Sequence, residues 1–167
     1  MTNANDGMNY APTAAKPQPV VNPGQFSFAA AHFDHGHIYG MINGLTEAGA
    51  ELAMIYEPDA TRIESLKEKF PSVHIAESFE EVLASDVNLV AAAAIPNQRG
   101  PIGCQVMQAG KDYFTDKCPF TSLEQLADAE KVVAATGQKY MVYYSERVHV
   151  ESAWYADQLI QDGVIGD

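Results

Sequence analysis

Along the chain, short unbroken apolar runs alternate with longer stretches in which apolar residues return every third or fourth position. Runs of the first kind predict strands buried on both faces, and the second kind predicts amphipathic helices. Phe26 to Ala31 opens as a strand. Ile38 to Ala48 then carries Ile38, Met41, Ile42 and Leu45 at helical spacing, with Gly49 as its stop. Leu52 to Tyr56 is the second strand and ends against Glu57. Pro58-Asp59 starts a helix through Ile63, Leu66 and Phe70, halted by Pro71, and Val73 to Ala76 is a brief third strand. Ser78 followed by Glu81 has the form of a capping box. Val87 to Ala94 is the fourth strand, closed by Ile95-Pro96-Asn97. The pattern next predicts a helix over Pro101–Ala109 and a strand over Asp112–Thr115. A helix over Ser122–Ala135 turns Leu123, Leu126, Ala129, Val132 and Val133 inward. Lys139–Tyr144 is the sixth strand and His149–Gln161 the last helix.

Strands alternating with crossover-length helices imply an α/β fold of Rossmann type, a doubly wound parallel sheet with helices on both faces. Such sheets bind ligands at the carboxyl ends of their strands. That rule gathers His35–His37, Glu57, Ile95–Arg99, Asp116–Cys118 and Ser145–Arg147 on one rim. The opening unit has the form of a mononucleotide-binding βαβ. Glu57 stands 57 − 36 = 21 positions after Gly36, near the spacing of about 20 at which such folds place an acid for the adenosine ribose. The fingerprint G-x-G-x-x-G is mostly missing: with Gly36 as its third glycine, the first two places fall on Ala31 and Phe33. Backbone N–H groups at the helix start still offer a seat for phosphate. The alternative is an ordinary βαβ unit of any α/β domain.

Composition narrows the classes. The 167 residues are one domain's worth of chain, enough to bury roughly 70% of the unfolded surface. A net charge of −12 and the lack of a basic stripe exclude nucleic acid and anionic membranes as partners. No apolar run reaches membrane-spanning length, and the start lacks the basic and apolar segments of a signal peptide. Cys104 and Cys118 give no disulfide framework and fit a reducing, cytoplasmic setting. Residues 1–24, with Pro12, Pro17, Pro19 and Pro23 and no apolar period, are expected to form a disordered or extended arm before a domain at 25–167.

Several stations along the rim carry a family resemblance. AIPNQ resembles a T-P-N-x-x-H turn with Arg99 near the usual histidine, and TDKCPF resembles an E-K-P signature with Cys118 inserted before Pro119. YYSERV resembles a sixth-strand ending with a following arginine, Arg147, and LIQDGVIGD a G-x-I-G-D/E passage into a second domain. In that order the motifs resemble the N-terminal half of the Gfo/Idh/MocA family, the glucose-fructose oxidoreductase and inositol dehydrogenase group. The likeness covers about residues 26–167.

The resemblance implies a nicotinamide-dependent dehydrogenase acting on a sugar, cyclitol or polyol. Lys117 would then polarise or help deprotonate the substrate hydroxyl; the plain alternative is a surface lysine after a strand. His35, Gly36, His37 and Ile38 would meet the cofactor at the helix start. Ile95, Pro96 and Asn97 would line the nicotinamide side, with Asp116 and Arg147 beside them. Glu57 would hold ribose hydroxyls and favour NAD over NADP, unless it is a cap or a solvated carboxylate. His32, His35 and His37 with Asp34 are expected to point apart around a turn, so no metal is expected. Cys118 is expected to be a buried thiol.

The resemblance also implies a second domain supplying most of the substrate pocket. The chain is therefore expected to be a truncated piece, half of a split enzyme or a free-standing module. As such it would be inactive alone and inclined to pair with its own copies or a complementing chain. The competing function is a non-catalytic nucleotide-binding or interaction module that kept the fold.

Overall fold

A computed structural model describes residues 18–144 and 151–166. The chain divides into two compact units, one spanning residues 17–143 and the other residues 1–16 with 144–167.

The larger unit holds six strands: β1 (Ser27–Ala31), β2 (Glu51–Tyr56), β3 (His74–Ile75), β4 (Leu89–Ala92), β5 (Asp112–Asp116) and β6 (Tyr140–Tyr143). They form one all-parallel sheet in the order β3-β2-β1-β4-β5-β6. Its helices are α1 (His37–Glu47), α2 (Ala60–Lys69), α3 (Phe79–Ala84), α4 (Pro96–Gln108) and α5 (Leu123–Thr136). The Rossmann architecture expected from the alternation is the one present.

The pleat explains the centre of the sheet. In β1, Phe28 and Ala30 join one core cluster with Ile38, Met41 and Ile55, while Ala29 and Ala31 join another with Val82, Val106 and Tyr113. Successive side chains point to opposite faces, so both faces are apolar and both are covered. Ile38, Met41, Val82 and Val106 are almost wholly buried, and each contributes about 1.5–3 kcal/mol. Alanines line the β1–β4 seam, with Ala30 opposite Ala91 and Ala31 opposite Ala92.

Local signals set the helix ends. The side chains of Asp59, Ser78 and Ser122 accept the N–H groups of Thr61, Glu81 and Gln125, and left-handed Gly137 closes α5. The capping box is only half made. Glu81 turns its carboxylate to the Glu77 N–H and to His74 rather than to Ser78.

Two other expectations change. Helix α4 begins at Pro96, not Pro101, because proline suits the first helical position, where no N–H is needed. Pro101 sits inside the helix, and the Asn97 carbonyl it cannot serve accepts from the Gln125 side chain at 2.9 Å. In α5 only Ala129 is fully buried, while Leu123 and Leu126 face outward.

Of the expected arm, Val20 and Val21 donate to the Ala48 carbonyl and Gly24 to Glu51, so residues 20–24 are pinned. Residues 1–17 lie outside the described residues. The smaller unit contributes α6 (Glu151–Gln161), ended at Gly163 with φ +69°. Trp154, Tyr155 and Ile160 on it are exposed.

Candidate functional site

The chain crosses from β1 to β2 on one side, and β4 lies on the other. The sheet therefore has its switch point between the carboxyl ends of β1 and β4, where a doubly wound fold opens a crevice. A cavity of about 270 Å³ occupies that place, lined by Asp34, His35, His37, Ile95, Pro96, Arg99, Asp116 and Lys117.

The loop from β1 to α1 is stitched to both neighbouring strands. His32 donates to the Tyr56 carbonyl, the Ala93 N–H donates to His32, and the His35 N–H donates back to Ala93. His32 itself takes φ +55°, a left-handed turn that costs a non-glycine residue roughly 1–3 kcal/mol. The tight turn thus falls at His32, one residue later than the frame ending on Gly36. Counted from there, the fingerprint positions hold His32, Asp34 and His37. Edge-on contacts with Tyr56 and Phe79 cover much of the His32 ring, its Nε2 has no hydrogen-bond partner among the described residues, and burial pushes its pKa down.

Asp116, at the end of β5, is the hub. Its buried carboxylate accepts from His37 Nδ1 at 2.9 Å and from the Lys117 N–H at 2.8 Å, with His35 Nδ1 at 3.2 Å. The acceptor-only carboxylate assigns the proton to His37 Nδ1 and leaves Nε2 for other partners. Arg99 Nη2 lies 3.4 Å from the second Asp116 oxygen. The same guanidinium, itself 3% exposed, donates Nε–H to the Ala94 carbonyl and Nη1–H to the carbonyls of Lys117 and Cys118. Arg99 therefore ties the ending of β4 to the ending of β5. Its buried role was hidden in the sequence, where only its place after the Ile95-Pro96 turn was visible.

His35 and His37 converge on Asp116 rather than pointing apart, because the turn is tighter than expected and their ring centroids approach to 4.3 Å. Three ligand atoms of His35, His37 and Asp116 lie within 4.8 Å of one another. Several of the positions a metal would use are already engaged. The His37 N–H donates to His35 Nδ1, and Arg99 supplies the cation beside Asp116.

The remaining expected residues divide. Ile95, 45% exposed, and Pro96 form the lip of the crevice. Lys117 lines its wall, its backbone held by Asp116 and Arg99. Gly36 caps α1, and none of the described residues comes within 4 Å of where a Cβ would stand. Ile38 is different: its side chain is core, and its N–H already serves the His35 carbonyl. Asn97 is exposed on the first turn of α4, outside the lining of the crevice.

Glu57 is not an open acceptor. Only 1% of its side chain is exposed, and its oxygens take the Phe33 N–H at 2.6 Å and the Asp59 N–H at 2.8 Å. Arg62 has swung back across it, 3.4 Å from Glu57 and 2.9 Å from Asp34. Cys118 is exposed rather than buried, since the chain has left the sheet at that point. Arg147 lies outside the described residues.

Residues 32–144 match an oxidoreductase family with an NAD-binding Rossmann fold. Among solved structures, a provisionally named oxidoreductase from Erwinia carotovora atroseptica SCRI1043 is 42% identical, with a TM-score of 0.77 over 83% of this chain and 42% of that one. The apo scyllo-inositol dehydrogenase of Lactobacillus casei shares the fold at 19% identity, TM-score 0.74, over 88% of this chain and 44% of that one. A provisionally named NADPH-dependent oxidoreductase from Desulfitobacterium hafniense does so at 20% identity, TM-score 0.74, over 88% and 42%. The chain thus spans less than half the length of these structures. No curated protein matches it.

Proposed function

We propose, because the chain belongs to the Gfo/Idh/MocA oxidoreductase family, that its switch-point crevice holds a nicotinamide dinucleotide for a dehydrogenase acting on a sugar, cyclitol or polyol. The observation that carries this reading is the convergence of the α1 start, the Ile95-Pro96 lip and the Asp116–Lys117 strand end on one cavity. Open space before Gly36 suits a pyrophosphate at the helix N-terminus. The His35 ring is 52% exposed beside that helix start, its Nδ1 turned to Asp116 and the His37 backbone N–H.

When bound, the nicotinamide supplies the hydride acceptor or donor. The chain's own residues do the rest. Ile95 and Pro96 wall the ring from water. Asp116 and Arg99 fix the backbone that carries Lys117, whose Nζ hydrogen-bonds the substrate oxygen and exchanges its proton. The polyol class is supported by the name of the scyllo-inositol dehydrogenase that shares the fold. Turnover is proposed for this crevice with a second wall against it, from further chain, a second copy or a complementing chain. Positioning alone is worth about 7–11 kcal/mol of barrier lowering.

NAD is favoured over NADP by the carboxylates of Asp34, Glu57 and Asp59 around Arg62. One specific observation favours the second reading, a module that kept the fold without hydride transfer: the fingerprint positions carry His32, Asp34 and His37, and Glu57 is sealed. Fluorescence titration with NADH separates the two. Saturable binding that weakens when Ile95 is replaced by aspartate supports the cofactor reading. No change at millimolar cofactor overturns it.

A further inference from the structure

The geometry points to Asp34 as the residue that decides between the two nicotinamide cofactors, by holding Arg62 away from a 2′-phosphate. This rests on the reading that the crevice takes a dinucleotide and adds which group sets its choice.

Asp34 stands on the loop between β1 and α1, at the place where a dinucleotide fingerprint counted from His32 would have its second glycine. Its Oδ1 accepts from Arg62 Nη1 at 2.9 Å. That guanidinium also lies 3.4 Å from Glu57 Oε1 and 3.4 Å from Asp59 Oδ2. One cation therefore faces three carboxylates, and the cluster keeps a surplus of negative charge.

The carboxylates are not equivalent. Glu57 is sealed under the loop by two backbone N–H groups, and Asp59 spends its Oδ1 capping α2. Of the cluster, only Asp34 also lines the crevice. Arg62 sits beyond the end of β2, where an arginine receives the 2′-phosphate in cofactor sites of the other preference. Its side chain is 36% exposed, so it is within reach of solvent once released. In the wild-type chain a 2′-phosphate would meet Asp34 first and find the guanidinium already bidden for. The ribose hydroxyls of NAD carry no charge and have no need of the guanidinium.

The test measures dissociation constants for NAD and NADP by calorimetry on the wild-type chain, on Asp34→Asn and Asp34→Gly, and on Asp34→Asn combined with Arg62→Ala. Adenosine 2′,5′-diphosphate against adenosine 5′-monophosphate serves as a second pair of probes. Wild type should prefer NAD. Asp34→Asn should shift the NADP-to-NAD ratio toward NADP by roughly tenfold or more, the size of one charge-assisted hydrogen bond gained. Arg62→Ala should cancel that shift. If Asp34→Asn strengthens both cofactors equally, Asp34 acts as a general repeller and the inference is overturned. A shift that survives Arg62→Ala overturns it too. Should the wild type bind neither dinucleotide, the reading of the crevice fails. The two adenosine probes then judge the Asp34–Arg62 pair by the same ratio.

Discussion

Replacing Glu57 by alanine separates two roles that this carboxylate could have. In the structure its oxygens accept the Phe33 N–H at 2.6 Å and the Asp59 N–H at 2.8 Å, and the side chain is 1% exposed. Alanine leaves a buried donor at Phe33 and a partly buried one at Asp59 without partners. Each unsatisfied donor costs about 1–3 kcal/mol, less where water can enter. The contact with Arg62 adds little, since that side chain is 36% exposed and screened. The sum is about 3 kcal/mol. For a chain of this size that lowers the melting temperature by roughly 6–12 °C. Thermal unfolding followed by circular dichroism measures it, with Glu57→Gln as companion. Glutamine keeps one acceptor oxygen but turns an amide donor against the other N–H, so it should fall between the two. A melting temperature within about 1 °C of wild type, with NAD affinity selectively lost, would refute the reasoning. Glu57 would then be an open ribose acceptor and not the loop's anchor.

Arg99→Met should take the buried cation from beside Asp116, which keeps the donors His37 and the Lys117 N–H, and leave the carbonyls of Ala94 and Lys117 without their guanidinium donor, at about 3–5 kcal/mol in urea unfolding. Gly103→Ala should destabilise by about 1–3 kcal/mol or more, because its Cβ would lie 2.5 Å from the Tyr140 ring and 2.6 Å from that of Tyr113. Burial pushes the His32 pKa in the fold below its ordinary value, against the opposing pull of Glu57 and Asp34. Between those two pKa values the unfolded chain binds more protons than the fold does. The stability from neutral His32 is therefore complete above about pH 6.5 and is lost as pH falls below it. Urea midpoints at about pH 7.5 and 5.5 should show that loss in the wild type, and His32→Asn, which tolerates the left-handed turn, should reduce the slope.

Much of the fold was legible because burial on both faces of a parallel sheet leaves an unmistakable trace. VNLVAAAA and FSFAAA have no polar alternation, and their short length between turn signals marks them as strands buried on both faces. Asp59, Ser78 and Ser122 announced their helices through local hydrogen bonds that need nothing beyond the next turn. The rim followed from topology alone, and His35, His37, Ile95, Pro96, Asp116 and Lys117 do share one cavity.

What only the tertiary structure decided lies where side chains from distant segments compete for the same partner. Pro96 rather than Pro101 starts α4, and the helix runs on through Pro101 because the Asn97 carbonyl left open there is taken by Gln125, 28 positions after Asn97. Leu123 and Leu126 keep the helical period yet face outward, because spacing selects a stripe but not what covers it. Glu57 stands at the spacing of a ribose acceptor, and whether it is open depends on the path of a loop 24 positions earlier. Arg99 and Asp116 are 17 positions apart, and neither announces the other. A strand's apolar run reports its own burial. A buried ion pair is a relation between two remote residues, and only the closed chain sets the distance between them.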